Sequence, residues 1–204
     1  MPTFIYLASQ SPRRRQLLEQ LGIAHELLLP NTAGDAPEDA EAIEAVLAGE
    51  APTAYVERVT GLKLDAAVAR RLRRGLPDAP ILCSDTTVAL GRTIYGKPDD
   101  AAHAARMLGE LAGHEHRVLT AVALQVGSRR LSALSVSRVT FAAMTPAQID
   151  AYVATGEPLG KAGAYGIQGR AAAYVQTLSG SYSGIMGLPM YETAQLLRAA
   201  GFPL

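Results

Sequence analysis

Two strand-type runs, His116 to Val126 and Leu131 to Phe141, flank a turn at Gly127 to Arg129. Their Val, Leu and Thr content and two-residue alternation predict a long antiparallel pair. Pro80 to Leu90 is a third run of this type, and shorter ones begin at Ile5 and at His25, the latter running to Leu29 before Pro30. Helical segments separate them. Thr53 to Leu72 carries Tyr55, Val56, Val59, Leu62, Ala66 and Val68 roughly on one side. A second helix, at about 99–111, carries Met107, Leu108 and Leu111 and ends at Gly113. Thr145-Pro146-Ala147-Gln148 is a capping box that opens a helix at about 146–154. Ala172 to Leu178 reads as a last strand, and Gly187-Leu188-Pro189 opens a C-terminal helix with Tyr191, Ala194, Leu196 and Leu197. The chain is therefore of α/β type. With 204 residues, 49% of them hydrophobic, it can bury a substantial core. It has no internal repeat and no clear linker, so residues 1–204 read as one domain.

Bulk properties exclude several roles. Nineteen Lys and Arg balance nineteen Asp and Glu, so no global basic field points to nucleic acid or an anionic membrane. Aromatic content of 5% is too low for base-stacking platforms. A single cysteine, Cys83, excludes an intramolecular disulfide and a cysteine-built zinc site. No signal segment opens the chain and no apolar run approaches the ~18 residues of a membrane span. The expectation is a cytoplasmic protein.

The N-terminal stretch Ile5 to Arg15 reads as a buried strand, a tight polar loop and a helix. Ser11 is a good N-cap and Pro12 fits the first helical position. Leu17, Leu18 and Leu21 form the apolar stripe, and Gly22 is placed to end the helix. The charge is the anomaly. A helix N-terminus carries partial positive charge, yet this one is followed by Arg13, Arg14 and Arg15. An anion among free N–H groups, the hydroxyls of Ser9 and Ser11 and the guanidinium forks resolves the conflict, which makes a phosphate site. The alternative is a solvated arginine face.

Asp85 interrupts an otherwise apolar strand, where an unpaired carboxylate is costly. It needs a structural partner, a metal ion or a water to activate. Lys63 adjoins the apolar face of the long helix, as a snorkelling lysine does. Lys97, between Gly96 and Pro98, can meet a phosphate as a point charge or be solvated. His114 and His116 share a strand face but lack a third ligand, so packing is favoured over metal binding. Residues 30–52 form an acidic excursion with a short helix over Glu38 to Leu47. The segment Lys161 to Arg170 holds three glycines and little core potential. It reads either as a surface hairpin or as a loop that approaches a ligand, with Gln168 matching a base edge.

Four stretches taken together resemble the Maf family of nucleotide pyrophosphatases. They are Leu7-Ala8-Ser9-Gln10-Ser11-Pro12-Arg13-Arg14, Ser84-Asp85-Thr86 with Gly96-Lys97-Pro98, Lys161 to Gly169, and Gly187-Leu188-Pro189. The resemblance runs end to end. It implies a mixed α/β fold related to the inosine triphosphate pyrophosphatases, with an elongated sheet flanked by helices and a cleft between two lobes. It also implies divalent-metal-dependent hydrolysis of a nucleoside triphosphate to the monophosphate and pyrophosphate, with Mg²⁺ ahead of Mn²⁺ or Co²⁺, and a homodimer. Arg13, Thr86 and Gln168 in combination are similar to the dTTP/UTP subgroup rather than the 7-methyl-GTP subgroup.

Carried over by that resemblance, Asp85 is the catalytic residue and a metal ligand. Ser9, Ser11, Arg13, Arg14, Lys63, Thr86, Lys97, Lys161 and Gln168 are the substrate-binding residues. Two positions depart from the family pattern. The usual acidic residue after the second strand aligns with Ala33 and Gly34, beside an insertion at about 36–50, which leaves Asp35, Glu38, Asp39 or Glu41 as candidates for the second carboxylate. An arginine common after the long strand is replaced by Ala142. The reaction expected is in-line attack of water on the α-phosphorus, with nucleotide-pool house-cleaning as its setting. A nucleotide-sensing regulator of cell division, without turnover, is the rival reading of the same residues.

Overall fold

The computed structural model describes residues 4–31 and 35–204. Among the described residues seven strands form one mixed sheet: β1 (Ile5–Leu7), β2 (His25–Leu27), β3 (Ile81–Leu90), β4 (Thr93–Tyr95), β5 (Glu115–Val126), β6 (Arg129–Phe141) and β7 (Val175–Ser179). Their order is β2-β1-β3-β5-β6-β7, with β4 paired to β3 off this path. β1 is parallel to β2 and β3, and the remaining pairs are antiparallel. The helices are α1 (Pro12–Gln20), α2 (Ala40–Glu44), α3 (Pro52–Arg73), α4 (Ala101–Leu111), α5 (Pro146–Val153), α6 (Tyr182–Met186) and α7 (Met190–Ala199).

Local rules account for most element ends. The α5 capping box forms in both directions, with Gln148 N–H donating to the Thr145 hydroxyl at 3.3 Å and Thr145 N–H to Gln148 Oε1 at 2.8 Å. Asp39 caps α2 by accepting from Ala42 N–H, and the helix is shorter than the stretch 38–47 suggests. On α3 the core face runs through Tyr55, Val56, Val59, Thr60, Leu64, Ala67 and Arg70, while Leu62 is 39% exposed. Over 22 residues the 3.6-residue period carries Leu64 and Ala67, not Leu62, onto the sheet. Thr93–Tyr95 folds back on Val88–Leu90 through Gly91 at φ +58°. Its three residues are too few to show a period. The last strand starts later than Ala172, because Arg170–Tyr174 is a 3₁₀ turn. Its three alanines bring no β-branched side chain to favour extension.

Two features of β3 position everything that follows. Its side chains alternate between the sheet faces, and each face is apolar at both ends and polar in the middle. Leu82 and Val88 enter separate core clusters on one side, with Ser84 and Thr86 between them. On the α3 side Cys83 and Ala89 do the same around Asp85 and Thr87. The second feature is an open edge. β1 pairs with β3 as far as Leu82 and β4 pairs from Val88, so among the described residues no strand covers Cys83 to Thr87 there.

The glycine-rich segment is more deeply seated than its composition suggests, with Gly163, Ala164, Tyr165, Gly166 and Ile167 all buried. Gly163 stands at φ +69° and donates its N–H to Gly96 O at 3.0 Å. A Cβ there would lie 2.8–3.0 Å from the Val88 side chain. Gly163→Ala is expected to cost about 2–4 kcal/mol, from left-handed strain plus overpacking. Urea denaturation measures it, and a loss below about 0.5 kcal/mol would show that the loop is not locked onto β3.

Candidate active site

A cleft of about 650 Å³ opens along the uncovered edge of β3, within the size range of small-molecule sites. Ser9, Ser11, Arg13, Arg14, Lys63, Asp85, Thr86, Lys97, Lys161 and Gln168 all line it. They come from six places in the chain, and the open edge lets groups from both sheet faces meet.

On one face, the start of α1 supplies the cations. Arg14 donates from Nε to Gly187 O at 2.8 Å, and reaches Ser9 Oγ at 3.3 Å and Thr86 Oγ1 at 3.4 Å. Thr86 meets Thr120 Oγ1 at 3.0 Å, and Thr120 donates to Gly184 O at 2.7 Å. The hydroxyls thus form a directed chain from the guanidinium to a carbonyl. Ser11 precedes α1 without capping it, and its N–H donates to Ser9 Oγ at 3.1 Å. Burial, and then the adjacent Arg14, hold the Arg13 guanidinium below its ordinary range. Lys161 is lowered in the same direction by burial and by Arg13. Cations that depress one another relax when an anion enters.

On the other face, α3 supplies Lys63. Its Nζ donates to Asp85 Oδ1 at 2.5 Å and to Glu44 Oε1 at 2.7 Å. Lys97 Nζ binds the same Glu44 carboxylate at 2.9 and 3.1 Å. Burial works against the Lys63 charge, but Asp85 and Glu44 outweigh it and raise the ammonium above its usual range. Burial likewise opposes ionisation of Glu44, and Lys63 and Lys97 overcome it to hold the carboxyl below its usual range.

Glu44 is passed over by the sequence reading. It arrives as part of an acidic strap laid antiparallel along α3. Glu50 pairs with Arg58 at 2.6 Å, Glu44 with Lys63, and Glu38 with Arg70 at 2.7 Å. Asp35 completes the series on Arg73 at 2.8 Å and Arg74 at 2.7 Å. Tyr55 Oη donates to Glu44 O at 3.0 Å, and Arg58 Nη2 to Ala45 O at 2.8 Å, fixing the end of α2. Asp35 does not line the cleft. Glu38 lines it with its carboxylate turned onto Arg70, Asp39 is spent on the α2 cap, and Glu41 is exposed. Ala33 and Gly34 lie outside the described residues. The signal was present in the spacing: acids at 35, 38, 44 and 50 mirror bases at 74, 70, 63 and 58 in reverse order.

Among the described residues no group of three or more His, Cys, Asp or Glu side chains is arranged to hold a metal. His116 is core, with Nε2 2.8 Å from Tyr165 Oη and its ring edge-on to Phe141, and burial lowers its imidazole to about 4. His114 is exposed, with Nδ1 2.9 Å from Ala112 O. Asp85 and Glu44 are a different matter. Two carboxylates already converge on one cation, and they offer the hard oxygen donors that suit Mg²⁺ alongside phosphate oxygens. The donor set fits a divalent ion shared with a ligand. No described helix is long and apolar enough to cross a membrane.

Comparison with known proteins gives a consistent result. The family model described as "Maf-like protein" matches residues 4–200. A dTTP/UTP pyrophosphatase of Albidiferax ferrireducens is 69% identical over 202 residues, which cover 99% of each chain. Those of Polaromonas sp. and Cupriavidus metallidurans are 68% and 63% identical, each over 201 residues and 98% of both chains.

Proposed function

This chain belongs to the Maf-like protein family, and from that premise we propose that it hydrolyses dTTP and UTP to the monophosphate and pyrophosphate. The observation that carries the reading is the pairing of a cationic pocket at the start of α1 with the Lys63–Asp85–Glu44 cluster, across one open strand edge. A triphosphate needs several cations and an acid–base group within its own length, and this cleft offers both.

The triphosphate lies along the edge of β3. Its distal phosphates occupy the N-terminus of α1, where Ser9, Ser11, Arg13 and Arg14 neutralise them with Lys161, while Lys97 serves the Glu44 side of the cleft. The α-phosphate lies next to Lys63 and Asp85. Asp85 orients a water for in-line attack on the α-phosphorus and accepts its proton, while pyrophosphate departs on the opposite side. Lys63 pairs with Asp85 and faces the charge that develops on the phosphoryl oxygens. A divalent cation, Mg²⁺ ahead of Mn²⁺ or Co²⁺, would be held by Asp85 and Glu44 with substrate oxygens, and when bound it neutralises phosphoryl charge. Gln168 faces the base. Its amide offers a donor and an acceptor to the acceptor–donor–acceptor edge shared by uracil and thymine. One methyl group separates U from T and is worth only ~1–3 kcal/mol in a pocket, so both are accepted.

Pyrophosphate release from dTTP, UTP, CTP, GTP and 7-methyl-GTP with Mg²⁺ tests the proposal. Preferential turnover of dTTP and UTP is expected. Preference for 7-methyl-GTP would overturn the role of Gln168, and binding without turnover of any nucleotide would leave a sensor.

A further inference from the structure

Gln168 sits in a four-residue turn, Gly166 to Gly169, closed by Gly169 N–H donating to Gly166 O at 3.0 Å. Gly166 and Ile167 are buried and Gln168 is exposed, and a turn with a glycine at each end has little backbone preference of its own. This one is tied from outside at both ends by a single carboxylate. Arg170 N–H, just past the turn, donates to Glu157 Oε2 at 3.0 Å. Glu157 Oε1 accepts from Tyr152 Oη at 2.8 Å, and Tyr152 Oη accepts the N–H of Gly166 at 3.3 Å. Glu157 also holds Lys161, whose Nζ donates to the Glu157 main-chain oxygen. Gly169 lies so close that a Cβ there would meet Glu157 Oε1 at 2.0 Å. That glycine is required by the carboxylate and not by backbone conformation, since its φ is −102°.

We propose that Glu157, acting through Tyr152, is a positioning residue for base recognition: it clamps both ends of the Gly166–Gly169 turn and so fixes where Gln168 meets the pyrimidine. Glu157 does not line the cleft, and its effect on the nucleotide is transmitted through the turn. The inference rests on the base-reading role given to Gln168 above.

The expected consequence is a binding defect confined to the bases that Gln168 reads. Tyr152→Phe removes the hydroxyl relay and keeps the buried ring. Glu157→Gln leaves a single oxygen to accept from the two donors, Arg170 N–H and Tyr152 Oη–H. Gly169→Ala displaces the carboxylate by steric contact while leaving Glu157 itself unchanged. Each variant should raise KM for dTTP and UTP about tenfold, the value of one hydrogen bond, with kcat within about twofold. KM for CTP should move little, so preference over CTP shrinks. A fall in kcat with KM unmoved, or an equal rise for all three nucleotides, would assign Glu157 a merely structural role and overturn the proposal. Should Glu157→Gln fail to fold, the other two variants decide the matter. Gln168→Ala separates the two levels. If it leaves preference over CTP intact, the base-reading premise falls and this inference with it. If it erases the preference while Tyr152→Phe and Gly169→Ala do not, only the clamp is wrong.

Discussion

Asp85→Asn lowers turnover of dTTP and UTP by about 10³-fold, while nucleotide binding is retained or tightened. Asparagine keeps the shape of the side chain but cannot accept a proton from water, a role worth about 10²–10⁴-fold. Lys63 keeps Glu44 as its partner at 2.7 Å, so the ammonium is not stranded and the fold survives. Removing a negative charge beside a triphosphate also relieves repulsion, so affinity titrated without a divalent cation does not fall. Pyrophosphate release and calorimetric titration on the same preparation measure both quantities. Activity within about tenfold of wild type would remove Asp85 from the chemistry.

Lys63→Met produces the second large effect, on stability, with a reversed pH dependence. It leaves the Asp85 and Glu44 carboxylates without their shared cation, with the more exposed Lys97 still 2.9 Å from Glu44. Stranding partly buried charge costs about 2–3 kcal/mol here, somewhat less than for full burial. Two like charges raise each other's pKa in the folded variant, so that state binds protons more readily than the unfolded chain. Stability is then highest in mild acid and falls as pH rises through the raised values. The parent protein runs the other way at this site. Its Glu44 is held below the usual range, and that contribution is present above about pH 4.5 and lost as pH falls through the folded value. Chemical denaturation at pH 5 and pH 8 separates the two. An equal deficit at both would mean the carboxylates do not confront each other.

Much of this architecture is legible in the chain. The long hairpin, the strand carrying Asp85, α3 and the α5 capping box follow from local period and capping chemistry. The Arg13–Arg14 anomaly at a helix N-terminus points to an anion without any tertiary information. What resists reading is whatever depends on two distant segments at once. Glu44 gains meaning only when the strap lies along α3, and its five-residue helix is too short to carry a pattern. The burial of Tyr165 and Ile167 depends on α4, α5 and β3 enclosing them, while the glycines around them speak locally for exposure. Glu157 looks like a surface acid until Tyr152 and Arg170 are seen on either side of it.

The uncovered edge of β3 has a consequence for what such a chain can become. Five residues, Cys83 to Thr87, separate the end of β1 pairing from the start of β4 pairing, a span of roughly 17 Å at strand rise. The cleft is therefore ruled off in units of main chain. Sliding β4 by one residue would turn its buried Tyr95 outward, so the interval can change only two residues at a time, in jumps of roughly 7 Å. Side-chain substitution can drift gradually from one base to another. The length of the uncovered edge is quantised, and altering it requires rebuilding the sheet.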